Sequence, residues 1–188
     1  MAIKEFRIPQ RNEVTSENQV IFDQLIYMLG TVPNLYAGFA WSAHALSTYL
    51  ALENGKSSLN ARQREAVQLI VSQVNDCGYC LMAHSEIARM NGFTKEEIGE
   101  IRNGSASFDP RLDAIVRLAG SVAENRGRCD DTLLQAFFSA GLTNENLVDL
   151  VVVIGHMIVA NYLQALIKAP LDFPLTGNWE DLSIHREE

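Results

Sequence analysis

At 188 residues, with 47% hydrophobic and 20% charged residues and only five prolines, the chain has the size and make-up of one globular domain. A formal net charge of -8, with Lys and Arg scattered rather than clustered, excludes a nucleic-acid binder that works through backbone phosphates. The opening "MAIKEFRIPQRNE" carries charges where a secretory leader needs its apolar segment, and three cysteines are too few for a disulfide framework, so a cytoplasmic protein is expected.

In chain order, the first helix is expected over "SENQVIFDQLIYMLG", with Ser16 as N-cap and Gly30 as its stop. A second follows Pro33 and runs through "LYAGFAWSAHALSTYLALENG" to Gly55. A third starts at Asn60, with Gln63 completing a capping box, and its run "AVQLIVSQV" is apolar on several faces, so it should be central. The fourth begins near Cys77 to Cys80 and stops at Asn91-Gly92. "TKEEIGEIRNG" gives a short fifth with Thr94 and Glu97 as capping box, Asp109-Pro110 opens a sixth, and Asp130 or Asp131 a seventh.

Thr143 caps the last and most apolar helix, in which Leu147 to Ile167 is interrupted by Asp149, His156, Asn161 and Gln164. Those residues favour a buried core helix over a membrane span, and its surplus apolar surface is expected to be covered in part by other subunits. From about residue 170 the tail "LDFPLTGNWEDLSIHREE" has too many breakers for a helix and is expected to pack as an extended arm. The reading is one all-α domain over 1–188, with about seven to eight helices and no repeat.

The stretch "NDCGYCLMAHSEIARMNG" concentrates the chemistry. On one helix Cys77, Cys80 and His84 fall within about 60° of a common face. Two thiols three residues apart sit within the span a disulfide tolerates, a thiol at a helix start feels a positive partial charge, and an imidazole one turn on can take its proton. Glu65 stands 12 residues before Cys77, on the helix joined to the Cys helix by a short connection, where it can orient His84; an ion pair with Arg62 or Arg64 is its alternative.

Glu65, then Cys77-Gly-Tyr-Cys80, then His84, set in an all-helical chain, resembles the AhpD-like alkylhydroperoxidases of the carboxymuconolactone decarboxylase superfamily, in their peroxidase-related branch. The resemblance implies a hydroperoxide reductase that cycles a dithiol and a disulfide in an all-α protomer, assembled as trimers or hexamers. It implies no bound cofactor, but an external dithiol donor such as lipoamide or a thioredoxin-like protein. It also implies that Cys80 is oxidised by peroxide, that Cys77 resolves it, and that Glu65 and His84 relay protons. Position at the helix start favours Cys77 as the attacking thiol, whereas His84, at i+4 from Cys80, favours Cys80; a positioned base outweighs a terminal dipole, so attack is expected at Cys80. One departure stands out: the position before the second Cys, a His in the best-characterised members, is Tyr79, whose phenol with a pKa of ~10 is no base at neutral pH.

Three other classes compete. Zinc would take Cys77, Cys80 and His84 with Glu65 or Cys129, though all three first donors crowd one helix start. A thiol-disulfide oxidoreductase acting on other disulfides uses the same pair equally well. A helical scaffold with inert cysteines is the third. Cys129 reads as a free thiol without a role, and His44 and His156 as core or interface histidines. No Gly-rich phosphate loop or flavin fingerprint is present.

Overall fold

Polar caps and apolar stripes divide the chain into nine α-helices in the computed structural model, which describes residues 6–172. A short 3-10 turn, Arg11–Glu13, precedes α1 (Ser16–Leu29), and no strand occurs among the described residues. Thr15 rather than Ser16 caps α1, accepting from Asn18 N, and Gly30 closes it in the left-handed conformation (φ 80°).

The single helix expected from Pro33 to Gly55 is two: α2 (Asn34–Phe39) and α3 (Ala45–Glu53). The break has an identifiable cause. The wholly buried Asn18 donates from Nδ2 to the carbonyls of Ala40 and Ser42, at 3.0 and 2.9 Å, so those acceptors bond outside any helix. Ser42 Oγ then accepts from Ala45 N and starts α3.

The next helices follow their caps. α4 (Ala61–Val74) carries the Asn60/Gln63 capping box, α5 (Gly78–Met90) starts after Cys77, and α6 (Lys95–Arg102) carries the Thr94/Glu97 box. α7 (Pro110–Glu124) has Asp109 as N-cap and Pro at its first position, α8 (Asp131–Ser139) is capped by Asp130, and α9 (Asn144–Ile167) by Thr143. Eight consecutive residues of α4, Glu65 to Ser72, are buried, because α5, α7 and α9 all pack against it. Surrounded on so many sides, α4 is the axis of the core, as its apolar run leads one to expect.

α9 is long and apolar enough to cross a membrane by length and composition. Its inner face, however, packs against α4, α7 and α3 and buries Asn146, His156, Asn161 and Gln164. Its outer face exposes Val148, Val151, Val159, Tyr162 and Leu166. The extended arm expected from about residue 170 lies, beyond Asp172, outside the described residues.

Leu69, on α4, is fully buried. Leu69→Ala removes three carbons from a site walled in by packed helices and is expected to cost about 2 to 5 kcal/mol, read as a lower urea midpoint with an unchanged slope.

Candidate active site around Cys77 and Cys80

Two backbone features place the thiols. α4 ends at Asn75, Asp76 takes a left-handed φ of 53°, and Cys77 N donates to Ser72 O at 2.9 Å. This tight turn makes Cys77 the N-cap of α5 rather than a member of it, so Cys80 and His84 share a helix face while Cys77 sits at the helix mouth. Both cysteines are reduced and buried, with their sulfurs 2.7 Å apart in a thiol hydrogen bond.

Glu65, 4% exposed, meets His84 across the α4–α5 interface, with Oε1 at 2.8 Å from Nδ1. The two basic neighbours in sequence are engaged elsewhere. Arg62 donates to the Asn91 and Gly92 carbonyls and lies over the Phe93 ring, and Arg64 donates to the Glu53 carbonyl. Burial alone would lower the His84 pKa, but the Glu65 charge and hydrogen bond outweigh it, so the imidazole titrates above its ordinary value.

The thiols are driven apart. Cys77 is lowered, first by its hydrogen bond with Cys80 and then, against burial, by the Cys80 backbone amide and the Asn161 side chain. Cys80 is pushed up by the same hydrogen bond and by burial. The shared contact thus favours a thiolate on Cys77 more than on Cys80. Attack at Cys80 is expected both from its i+4 spacing to His84 and from the family resemblance; the direction of the two shifts favours a thiolate on Cys77, while the Asn161 side chain lowers both thiols.

The residue before Cys80 is occupied structurally. Tyr79 donates its hydroxyl to Asp172 Oδ1 at 2.8 Å and accepts from Leu35 N at 3.4 Å, and burial together with Asp172 raises its phenol far above neutral pH. It ties α5 to α2 and to the chain after α9.

Several polar residues beside the site escaped the sequence reading. Tyr36 donates to both oxygens of Glu53, at 2.9 and 2.8 Å; His156 Nε2 lies 3.8 Å from Glu53 Oε1 and 2.8 Å from the Tyr49 hydroxyl. His156 is thus a bonded core histidine, as its setting in an apolar helix leads one to expect. Asn161, 1% exposed, accepts from Asn75 Nδ2 at 3.0 Å and donates to Ser72 Oγ at 3.3 Å. The available signal was polarity itself, since an amide in the middle of so apolar a helix needs a partner inside the protein.

A cavity of about 520 Å³ opens beside the pair, with Cys77, Tyr79, Leu81, Met82, Asn161 and Gln164 in its walls. Cys80 is not part of its lining. Among the described residues no three His, Cys, Asp or Glu side chains are grouped to hold a metal ion. Cys129 is half-buried against the core.

With this geometry in view, residues 40–109 match the carboxymuconolactone decarboxylase family, a span that contains Glu65, both cysteines and His84. An uncharacterized peroxidase-related protein from Silicibacter sp. TM1040 is similar in structure with TM-score 0.77 at 22% identity, covering 92% of this chain and 96% of that one. The alkylhydroperoxidase AhpD core, uncharacterized peroxidase-related protein from Ralstonia eutropha JMP134, gives TM-score 0.80 at 18% identity over 89% and 92%. The debrominase Bmp8, also solved as a Cys-to-Ala variant in complex with 2,3,4-tribromopyrrole, gives TM-score 0.74 at 15% identity in its apo form, over 92% and 94%. No curated protein sequence matches the chain. At these identities the structural likeness establishes the AhpD-like helical fold.

The raised His84 pKa makes a stability prediction. A basic group whose pKa rises on folding contributes stability that is fully present below its unfolded pKa of ~6.5 and is lost as pH rises through the folded value. His84→Gln is therefore expected to destabilise the protein more at about pH 6 than at about pH 9, measured by urea unfolding at each pH.

Proposed function

We propose that the protein is a cysteine-dependent hydroperoxide reductase whose Cys77 and Cys80 cycle between dithiol and disulfide. The observation that carries this reading is the pair itself: two reduced thiols with sulfurs 2.7 Å apart, one lowered and one raised in pKa, beside a buried carboxylate–imidazole pair. One thiol attacks the peroxide, the other resolves the oxidised sulfur, and Glu65 orients His84 and favours its protonated form. The pair supplies both electrons, so no bound cofactor is needed within the half-reaction. Turnover then requires an external dithiol, of the lipoamide or thioredoxin-like kind. The family match and the peroxidase-related neighbours support the general assignment.

A second reading rests on the cavity and on the likeness to Bmp8. A space of about 520 Å³ is far larger than a hydroperoxide group and has room for an aromatic ring beside Cys77, so reductive removal of halide from a halogenated ring is the alternative use of the same thiols. Halide release from 2,3,4-tribromopyrrole, against consumption of a hydroperoxide by equal amounts of reduced protein, separates the two.

The outer face of α9 supports a homo-oligomer. Val148, Val151, Val159, Tyr162 and Leu166 recur at helical spacing around the exposed Gly155, and a stripe this long on the most apolar helix is suited to a second copy of itself. A trimer or hexamer is the assembly proposed, in the cytoplasm.

Two outcomes test these readings. Reduced protein treated with a hydroperoxide is expected to lose two hydrogens and to yield a Cys77–Cys80 cross-linked peptide by mass spectrometry, with Cys129 still alkylatable; a pair that stays reduced overturns the peroxidase reading. Light scattering at micromolar concentration is expected to give a multiple of the protomer mass, and Val151→Glu with Leu166→Glu to lower it.

A further inference from the structure

We propose that residues 168–172 form a strap that selects the substrate at the cavity beside the cysteine pair, and that Tyr79 and Asp172 are the latch that holds this strap in place. Tyr79 is then a positioning residue, and the strap favours a hydroperoxide with an apolar body of about ring size over hydrogen peroxide. The substrate rests on the peroxidase reading; the latch does not.

The strap begins where α9 ends. Lys168 is one of three non-glycine residues with positive φ among the described residues (49°), and its amide donates to Gln164 O at 2.8 Å. The left-handed residue turns the chain out of the helix direction, as at a helix C-terminus closed by glycine. Lys168, Ala169 and Leu171 then stand in the wall of the cavity of about 520 Å³, together with Tyr79, Leu81 and Met82 of α5. The cavity is therefore bounded by the helix that carries the thiols and by a segment that belongs to no helix.

Side chains, not a helix ladder, hold that segment. Gln164 Nε2 donates to Ala169 O at 2.9 Å, and Asn34 Nδ2 donates to Pro170 O at 3.0 Å. The two oxygens of Asp172 are divided between elements: Oδ1 accepts from the Tyr79 hydroxyl at 2.8 Å, and Oδ2 accepts from the Asn34 backbone amide. Ala169 is buried whereas Leu171 is 52% exposed, so apolar burial anchors the near end of the strap and the latch anchors the far end.

The place of Tyr79 in the chain gives the latch its use. Tyr79 lies between the two cysteines and directly before Cys80, and its hydroxyl oxygen also accepts from Leu35 N at 3.4 Å. A wall tied to the Cys-x-x-Cys turn itself keeps its spacing to the sulfurs, which a ring-sized substrate needs to bring its peroxide bond into line with a thiol. Ala169 and Leu171 offer that body an apolar surface opposite a small polar group, and hydrogen peroxide has no body to place against it.

The test begins without peroxide. The full chain is treated with trypsin, and cleavage after Lys168 is followed by mass spectrometry. Ala169 is buried, so this bond is cut when the strap lifts, at a rate set by the lifted population. Tyr79→Phe, which keeps the ring, and Asp172→Ala are each expected to speed this cleavage on the order of tenfold, the effect of losing a hydrogen bond to a carboxylate. Cleavage after Arg126 and Arg128, in the exposed connection between α7 and α8, is expected to stay at the wild-type rate. Wild-type cleavage after Lys168 in both variants, or faster cleavage at all three sites through general loosening, overturns the latch. In a second arm, kcat/KM for cumene hydroperoxide is divided by kcat/KM for hydrogen peroxide. The ratio is expected to fall at least about fivefold in Tyr79→Phe, through KM rather than kcat, as an apolar wall is lost. An unchanged ratio with faster cleavage after Lys168 overturns the selecting role of the strap. Consumption of neither hydroperoxide by the wild type overturns the peroxidase reading and the substrate with it, while cleavage after Lys168 still decides the latch.

Discussion

A carboxyl group this deeply buried needs a hydrogen-bonding partner inside the protein, and Glu65 has one in His84. That contact fixes the site. It spans the interface of α4 and α5, so it sets how the two helices lie against each other and which turn of α5 faces the core. With His84 in place, Cys80 lies one turn back on the same face, and the short turn through Asp76 leaves Cys77 at the helix mouth. Removing either partner leaves a buried polar group without its hydrogen bond, between the same two helices that place the thiols.

The all-helical class, the caps of α4 and of α6 to α9, and the closeness of Glu65, Cys77, Cys80 and His84 were legible because each is local. Asn60 with Gln63, Thr94 with Glu97, and Asp109 before Pro110 announce helices within a few residues of themselves. The Cys pair and His84 share one short segment, and Glu65 lies a single helix away. The break between α2 and α3 was not legible, because its cause is the amide of Asn18, more than twenty residues earlier in the chain. Asn161 and Glu53 escaped for the same reason, since their partners, Asn75 and His156, come from distant helices. The shifts of the two thiols come first from their own contact, a local one, with Asn161 from α9 acting on both.

Tyr79 shows how one position changes its work. A histidine there would add a base; the phenol instead spends its hydroxyl on Asp172 and the Leu35 amide, and the chain after α9 is pinned against the start of α5. The floor of the cavity thereby gains a rigid aromatic wall.

The turn between α4 and α5 has an evolutionary corollary. Surface connections normally absorb insertions at little cost. This one holds the Cys77 amide on Ser72, needs a left-handed residue at Asp76 and keeps the Asn161 anchor at Asn75 within reach. A single added residue would break all three at once, so drift in chain length should collect in the other connections, and this turn should keep its length through any lineage that keeps the thiols.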